Sequence, residues 1–533
     1  MMHALRTLKV GVTAAALVLV VADASAQQAA VPVNPQQAPP PDRYVVGQAA
    51  PPQTPGTTLV PLTLEQATDM ALEKNLDLKV ARMNPPGVDY QLRAARAAFN
   101  PQLTSSYRYN NSSQPNNNTL EGEGVTSITT KTQNFNTGAS QTLPFYGAAY
   151  SVNFTNSRTA STSIRTLLNP SYSTGLALAF TQPLLRGFNI DNTRNGLRTL
   201  QITRQISDIQ LNATIENTKA SVRTAYLNLR QAIEQIEIQR RALGLAQRLF
   251  EDNKIKVEIG TLAPIDTVQP EANVASSEQS LLNAQISWTT AELTLKRLLA
   301  SGPDDPIYTS TINPTEQLPT PVAQTINIPG AVQRAMAERT DLVQTRKNLE
   351  ISQLNLQVTK DSTKPSLNLS AGYNMSGQGG QALLNGVRQP GGYSNAINQL
   401  FGFDLPTWNF QFNMTYPLFL VAEKANYARA QLQLDQSQAS LKAQELTVSA
   451  DVTNAGLAVE NTYKQYLAAL KAREAQERNA EAEQTRFDVG MSTNYNVVQA
   501  QNTLTSARLT ELRSIITYLN AVAEFDRIQR VGR

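Results

Sequence analysis

Two residue types that often carry chemistry are almost missing from this 533-residue sequence, which contains no cysteine and a single histidine, His3. The absence of cysteine excludes disulfide bonds, thiolate metal sites and a lipid-modified N-terminal cysteine. His3 lies ahead of the apolar run described below, so a cleaved leader would remove it and leave no imidazole for acid–base catalysis, metal binding or a Ser/His/Asp triad. No acidic pair lies in a pocket-like context either. We therefore expect no enzyme, no cofactor and no metal site.

Charged and aromatic residues are also scarce, at 17% and 6% of the chain. The charged share is below the roughly 25% typical of soluble proteins. Lys and Arg are spread along the sequence rather than gathered in blocks, and the net charge is only +4, so nothing indicates a nucleic-acid partner. Asn, Gln, Ser, Thr and Ala fill the gap. This composition indicates extensive uncharged polar surface and little thick core.

The N-terminus has the pattern of a secretion signal. Arg6 and Lys9 precede an apolar run at residues 10 to 22, and Ala24-Ser25-Ala26 supplies the small residues of a cleavage site. The run is shorter than the ~20 residues that span a bilayer, which favours a cleaved signal over a retained anchor. We predict a signal peptide at residues 1–26 and an exported mature chain.

Long apolar runs are missing from the rest of the sequence. Residues 27–60 form a flexible segment, with eight prolines between positions 31 and 56, and such a composition cannot build a core. From residue 62 onward no stretch has the length and apolarity of a transmembrane helix. If the protein lies in a membrane, it must therefore cross by β-strands.

The remainder is an internal duplication, with a first repeat at 61–325 and a second at 326–533. The alignment offset is 264 at the start of the repeats, falls to 234 where "FTQPLL" (180–185) meets "MTYPLF" (414–419), and ends at 230. Most of this shortening falls between residues 113 and 171, so the first repeat carries an extra segment. Aligned pairs include Ala67 with Ala331, Ala71 with Ala335, Pro101 with Pro365, Gly260 with Gly490 and Val268 with Val498.

Each repeat contains segments in which apolar and polar residues alternate. In the second repeat, "WNFQFNMTYP" places aromatic residues on one face and Asn, Gln and Thr on the other. This is typical of a membrane barrel with a wet lumen, although a strand of a soluble sandwich alternates too. We predict strands near 102–112, 172–183, 366–376 and 408–417, and an additional inserted hairpin at 131–158. The sequence leaves open whether that hairpin lies outside the cell or extends a barrel hairpin.

Long helices follow the strands. No proline occurs between Pro183 and Pro264 or after Pro417, and good helix formers fill both stretches. We predict long helices at 190–256 and 421–487, each roughly 100 Å long at 1.5 Å per residue. Tip turns at 257–265 and 488–495 lead into return helices at 266–300 and 496–530. Apolar positions recur in a narrow seam, which indicates helices packed side by side in a thin wall.

This duplicated order of strand, long helix, tight turn and long helix resembles the TolC-like outer membrane efflux protein family (outer membrane factors). The resemblance covers about residues 60 to 530 and depends on "QPLLRG" (182–187), "YPLFLV" (416–421) and the Gly-x5-Asp turn. It implies an α+β membrane protein: a trimeric 12-stranded outer membrane β-barrel, with four strands per subunit, continued by a long α-helical periplasmic barrel. It also implies a Gram-negative outer membrane location that extends into the periplasm.

The resemblance further implies a passive exit duct in a tripartite efflux or export system. A homotrimer would work with a periplasmic adaptor protein and an inner-membrane transporter. The outlet of a type I protein secretion system is an alternative within transport. A non-channel periplasmic coiled-coil scaffolding protein, soluble after export, is an alternative from another class.

By resemblance, the functional residues lie at the tips of the helices. The turns Gly260-Thr261-Leu262 and Gly490-Met491-Ser492 would meet the adaptor. A constriction would be formed by Asp266, Gln269, Asn496 and Gln499, each present three times around one axis. Relatives often carry acids at the positions of Asn496 and Gln499, and also a Tyr and an Arg that bond the first-turn acid. Here Phe487 and Ser492 replace those two partners, so we expect closure to use other contacts. Because Asn496 and Gln499 are uncharged, we expect cation block of the pore to be weaker than in members with an acidic ring.

Two further sets of polar residues have structural explanations. Asp266, and Asn496 in its copy, could simply cap the returning helices. The segment 471–486 interleaves Glu with Lys and Arg, which predicts a solvated helix face with i to i+4 pairs. The Asn-rich stretch 110–119 is explained as a flexible loop outside the membrane.

Overall fold

The computed structural model describes residues 49–52, 58–116, 119–121, 124–384, 387–389 and 391–529. The chain divides into two compact units. The first, residues 1–45, lies outside the described residues, and all the elements given below belong to the second, which begins at Val46. The predicted signal peptide and most of the proline-rich segment also lie outside the described residues.

The elements follow one another in two similar series. The first is β1 (Leu59–Leu62), α1 (Leu64–Lys74), α2 (Leu76–Ala97), β2 (Gln102–Pro115), β3 (Ser127–Thr142), β4 (Ala149–Ser161), β5 (Leu168–Pro183), α3 (Asn192–Glu258) and α4 (Val268–Leu299). The second is β6 (Thr311–Pro314), α5 (Ile328–Glu338), α6 (Thr340–Ser362), β7 (Ser366–Leu384), β8 (Val387–Gln389), α7 (Tyr393–Phe401), β9 (Pro406–Thr415), α8 (Val421–Asp488) and α9 (Asn494–Gln529). The matching lengths of α1 and α5, 11 residues each, and of α3 and α8, 67 and 68 residues, reflect the duplication seen in the sequence.

The two long helices extend without interruption, as their sequences predict. The side chain of Asp191 caps α3 by accepting a 2.8 Å hydrogen bond from the Arg194 backbone N–H, which satisfies one of the free donors at the helix start. The apolar seam predicted along α3 includes Ile202, Ile206 and Leu227, and all three are buried. Helix α3 packs against α4, and α8 against α9, so each repeat ends in an antiparallel helical hairpin.

One antiparallel sheet collects all the predicted strands. Its order is β2-β3-β4-β5-β7, with β9 and the short β8 both paired to β7. The four strands predicted for the barrel are β2, β5, β7 and β9. The inserted hairpin forms β3 and β4, which lie between the first and second of those strands and pair with both. Both strands of the hairpin thus belong to the sheet, between β2 and β5.

Strands β1, β6 and β8 and helix α7 were not predicted from the sequence. Strands β1 and β6 form a parallel pair in which Val60 lies opposite Ile312. Leu62 of β1 belongs to the same hydrophobic cluster as Tyr226 of α3. The Tyr226 hydroxyl donates a 3.0 Å hydrogen bond to the Leu62 carbonyl and fixes this pair on α3. Helix α7 packs on strands β5 and β7. Among the described residues, no helix is both long and apolar enough to cross a bilayer.

A buried ion pair fixes the segment around residue 49 to α3. The Arg230 guanidinium lies 3.2 Å from the Glu234 carboxylate, and their side chains are only 6% and 0% exposed. Arg230 donates to the carbonyls of Ala49 and Pro314, and the Ala49 N–H donates to Glu234. A buried charge is tolerated only when it is paired and hydrogen-bonded.

Replacing Glu234 with Ala should therefore destabilise the protein by about 3–5 kcal/mol, because Arg230 is left buried without its countercharge. The matched control is Glu237→Ala, which removes a more exposed partner of Arg240 and Arg241 and should cost about 1 kcal/mol or less. The measurement is the temperature at which far-UV circular dichroism is lost, at one scan rate. Equal shifts for the two variants would contradict the importance of the buried pair.

Candidate functional site

The two tip turns share one backbone geometry. Gly260 follows the last residues of α3 with φ +76°, and Gly490 follows those of α8 with φ +79°. In the first turn the N–H groups of Gly260 and Thr261 donate to the carbonyls of Val257 and Lys256; the second turn repeats this with Gly490 and Met491 donating to Phe487 and Arg486. This pair of bonds is the Schellman motif, in which glycine accepts the left-handed conformation without a Cβ clash. The aligned glycines therefore end both long helices by the same mechanism.

The return paths from the two turns differ. In the first, Pro264 opens a short 3-10 helix, Pro264–Thr267, which continues directly into α4. Proline suits such a first turn because its missing N–H would be unpaired there anyway. In the second, which has no proline, α9 begins at Asn494.

Asp266 and Asn496 do not cap the returning helices, which corrects that structural explanation. The cap position of the 3-10 helix is Ala263, and no side chain bonds there. Within the described part of the chain, the exposed Asp266 carboxylate has no hydrogen bond or ion pair. Asn496 lies in the first turn of α9 and donates to the Ser492 hydroxyl at 3.3 Å. Both residues are exposed, as are Gln269 and Gln499, so all four side chains are accessible on the single chain.

A buried asparagine links the two tip turns instead. The Asn494 carboxamide oxygen accepts a 2.8 Å hydrogen bond from Asn253 of α3, and its nitrogen donates to the Asp266 carbonyl at 3.2 Å. Asn253 is 0% exposed and Asn494 is 8% exposed. One side chain at the start of α9 therefore joins the end of α3 to the 3-10 helix that leads into α4.

Apolar and cation–π contacts surround this amide link. The Lys256 ammonium lies 4.2 Å from the centre of the Phe487 ring, a favourable arrangement of a cation over an aromatic face. Phe487 belongs to a small buried cluster with Leu249, Val497 and Val498. Phe487 was singled out in the sequence as a departure from the family pattern, and the structure places it where the two helical hairpins meet.

The sequence alone did not indicate Asn253, Asn494 or Lys256. Asn253 falls within a helical stretch that looks ordinary, and Asn494 aligns with Pro264 in the other repeat rather than with another Asn. The apolar seam could have suggested that Asn253 lies at a helix–helix contact. It could not indicate the partner, because Asn494 is 241 positions away in the chain.

The charged segment 471–486 is only partly a solvated face. The predicted i to i+4 pair forms between Arg473 and Glu477 at 2.7 Å, but Arg473 also pairs with Glu511 of α9 at 2.9 Å, and Arg508 of α9 pairs with Glu477 at 3.0 Å. Burial raises the pKa of Glu511. Burial also opposes ionisation of Glu477, but hydrogen bonds from Arg473 and Arg508 outweigh it and lower its pKa. These residues form an ion-pair network that joins α8 to α9.

Several large apolar side chains are exposed at the tips, beside charged residues such as Glu258 and Asp488. Met491 is 78% exposed and Ile265 is 74% exposed, and Ile259 and Val489 are also exposed. Large apolar side chains grouped at an exposed turn are a common mark of a binding surface. The predicted contact residues Thr261, Leu262 and Ser492 lie in the same two turns. Thr261 is exposed and the other two are half-buried.

The family model described as "Outer membrane efflux protein" matches residues 67–153, 149–301 and 331–528. No curated protein matches the sequence. Three similar solved structures are the outer membrane channel CmeC of Campylobacter jejuni, a membrane protein of Pseudomonas aeruginosa and the open state of the outer membrane channel MtrE of Neisseria gonorrhoeae.

These structures share the fold at low sequence identity. The Campylobacter channel is 18% identical, covers 87% of this chain and 85% of its own, and has a TM-score of 0.61. The Pseudomonas protein is 18% identical, with coverages of 93% and 97% and a TM-score of 0.64. The Neisseria channel is 20% identical, with coverages of 93% and 97% and a TM-score of 0.56.

If Asn494 joins the tip elements, Asn494→Ala should loosen them, because Asn253 is left buried without its partner. A lost buried hydrogen bond of this kind costs about 1–3 kcal/mol. Hydrogen exchange followed by mass spectrometry should show faster exchange at residues 250–268 and 490–498. The matched control is Asn496→Ala in the same turn, which removes only an exposed contact. Comparable exchange in the two variants would argue against the amide link.

Proposed function

The chain belongs to the outer membrane efflux protein family, and from that premise we propose that three copies form the exit duct of a tripartite efflux system. Members of this family are outer membrane channels that extend into the periplasm, and they are not enzymes. In our proposal a periplasmic adaptor and an inner-membrane pump deliver cargo to this duct.

The observation that carries the proposal is the apolar face of the sheet. On β9 the side chains of Trp408, Phe410 and Phe412 are 67–69% exposed, and they alternate with Asn409, Gln411 and Asn413 on the opposite face. A water-soluble protein rarely exposes such a continuous band of aromatic residues. An apolar face toward lipid and a polar face toward a wet lumen is the arrangement of an outer membrane barrel.

Trimer formation is supported by the edges of the sheet. Within the described residues, the sheet ends at β2 on one side, while β9 has its only long-strand partner in β7. An unpaired strand edge is not tolerated in lipid, so each edge needs a neighbour. A ring of three chains, in which β9 of one copy pairs with β2 of the next, would supply it.

The tips support the proposed adaptor contact and constriction. Exposed Met491 and Ile265 would pack against apolar residues of adaptor helices, with the turns at Gly260 and Gly490 at the contact. Asp266 is the acidic member of the proposed constriction, whereas Asn496, Gln269 and Gln499 are uncharged. Rings of carboxylates select and bind cations in pores, so a mouth with one acid per subunit should bind them weakly.

A crosslinking experiment tests the proposed duct. Because the chain has no cysteine, a photo-crosslinker attached at Met491→Cys labels a single site. In cells it should capture a periplasmic protein of the adaptor type, whose pump partner then indicates the cargo class. The control is Leu432→Cys, also exposed but near the start of α8, the end closer to the sheet. Capture at both sites, or absence of the protein from outer membrane fractions, would contradict the proposal.

A second experiment tests the constriction in planar bilayers. The variant Asn496→Asp/Gln499→Glu adds six carboxylates to a trimer. Even in water, each added carboxylate should stabilise a cation bound 4 Å away by about 1 kcal/mol per unit charge of the cation. Block by a trivalent cobalt hexammine ion should therefore strengthen by about tenfold or more. The control Asn496→Ala/Gln499→Ala should behave like the unmodified protein. Micromolar block of the unmodified channel that survives Asn496→Ala would exclude an uncharged ring.

A further inference from the structure

We infer that the inserted hairpin, β3 with β4, is part of the membrane-spanning wall, so that each subunit supplies six strands and the trimer closes an eighteen-stranded barrel. This inference rests on the proposed function, because it presupposes that the sheet closes a barrel with two further copies. The family resemblance implied four strands per subunit. Here each subunit would contribute six: β2, β3, β4, β5, β7 and β9.

The hairpin is paired along its full length. Strand β3 pairs with β2 from Gln102↔Ser140 to Pro115↔Ser127, and β4 pairs with β5 from Ala149↔Thr181 to Thr159↔Ser171. None of these three ladders, β2–β3, β3–β4 or β4–β5, contains a register shift. A hairpin that merely extended the loops outside the cell would leave β2 paired directly to β5, and here β3 and β4 separate them throughout.

The turn of the hairpin lies at the junction between the sheet and the helices. Tyr146 stacks on Phe188 with ring centres 4.8 Å apart, and its carbonyl accepts a 2.8 Å bond from Gln182. A Cβ added to Gly147 would lie 2.7 Å from the Gly187 carbonyl oxygen, so the turn is pressed against the chain that leads into α3. The hairpin therefore runs from the outer loops down to the periplasmic rim.

Two of the three connections at the outer end of the sheet are longer than the turn beside the helices. Residues 143–148 close the β3–β4 hairpin beside the helices, and the β2–β3 and β7–β9 connections at the opposite end, 116–126 and 385–405, are longer, whereas 162–167 between β4 and β5 also has six residues. Outer membrane barrels have short periplasmic turns and longer extracellular loops.

The hairpin also continues the alternation of the other strands. The register places Leu103, Ala139, Val152, Leu178, Tyr373 and Trp408 in one row across the six strands. The next row lies on the opposite face. From β2 to β9 it contains Thr104, Gly138, Asn153, Ala177, Asn374 and Thr407. On the apolar face the hairpin supplies Ala139, Phe135, Val152 and Phe154 in the half nearer the helices. Toward the outer loops the same face carries Gln133 and Lys131 of β3 and Asn156 and Arg158 of β4.

The strand lengths and directions permit closure. Strands β3 and β4 have 16 and 13 residues, and about 9–11 residues suffice for a tilted membrane strand. Since the hairpin adds two strands, β9 still runs antiparallel to β2 of the next subunit. With strands ~4.8 Å apart and tilted ~40°, the backbone diameter would be about 36 Å for eighteen strands and about 24 Å for twelve.

Cysteine accessibility distinguishes the two placements of the hairpin. Single variants Ser151→Cys and Val152→Cys lie on opposite faces of β4. Asn409→Cys and Trp408→Cys are their matched controls, because the register places Ser151 in one row with Asn409 and Val152 in one row with Trp408. Trimers reconstituted in lipid vesicles are treated with a membrane-impermeant maleimide, after gels show that each variant assembles. Ser151→Cys and Asn409→Cys should react at least about tenfold faster than their neighbours on the lipid face.

Each outcome is decisive. If the β9 pair differs tenfold while Ser151→Cys and Val152→Cys react alike, the hairpin stands in water outside the membrane and the six-strand wall is wrong. If the β9 pair itself shows no difference, the proposed barrel fails, and the inference fails with it for that separate reason. A strand count from electron cryomicroscopy of the trimer gives an independent answer, with eighteen expected and twelve contradicting the inference.

Discussion

Backbone hydrogen bonding in lipid is the constraint on which the rest of this structure depends. An N–H or C=O that faces hydrocarbon must find a partner within the protein. The sheet from β2 to β9 supplies such partners in its interior, and in the proposed barrel its two edges pair with neighbouring copies. The long helices then start where the strands end, so their position follows from the sheet.

The same duplication that builds the sheet builds the tips, but with a different result. Gly260 and Gly490 end the two long helices in one geometry because both positions require a left-handed residue. The contacts beyond the glycines have diverged. Pro264 stands in one repeat where Asn494 stands in the other, and it is Asn494 that reaches across to Asn253. Sequence symmetry at the turn thus coexists with an asymmetric link between the two hairpins.

The charges along the helices show how tertiary structure changes the meaning of a pattern. An i to i+4 arrangement such as Arg473 and Glu477 predicts a solvated pair, and that pair forms. Its members also reach Glu511 and Arg508 on α9, so the pattern contributes to packing between helices. Local spacing identifies which charges can pair on one helix, whereas partners on another helix depend on how the two helices are aligned.

The sequence by itself determined the elements: two long helices, their glycine turns, the alternating strands and the duplication that orders them. Periodicity and proline placement act within a few residues, so they can be read without a structure. Tertiary structure alone decided that the hairpin at β3 and β4 joins the sheet, that β1 pairs with β6, and that Asn253 meets Asn494. Each of these depends on contacts between residues far apart in the chain, where register and helix alignment, not local preference, select the partner.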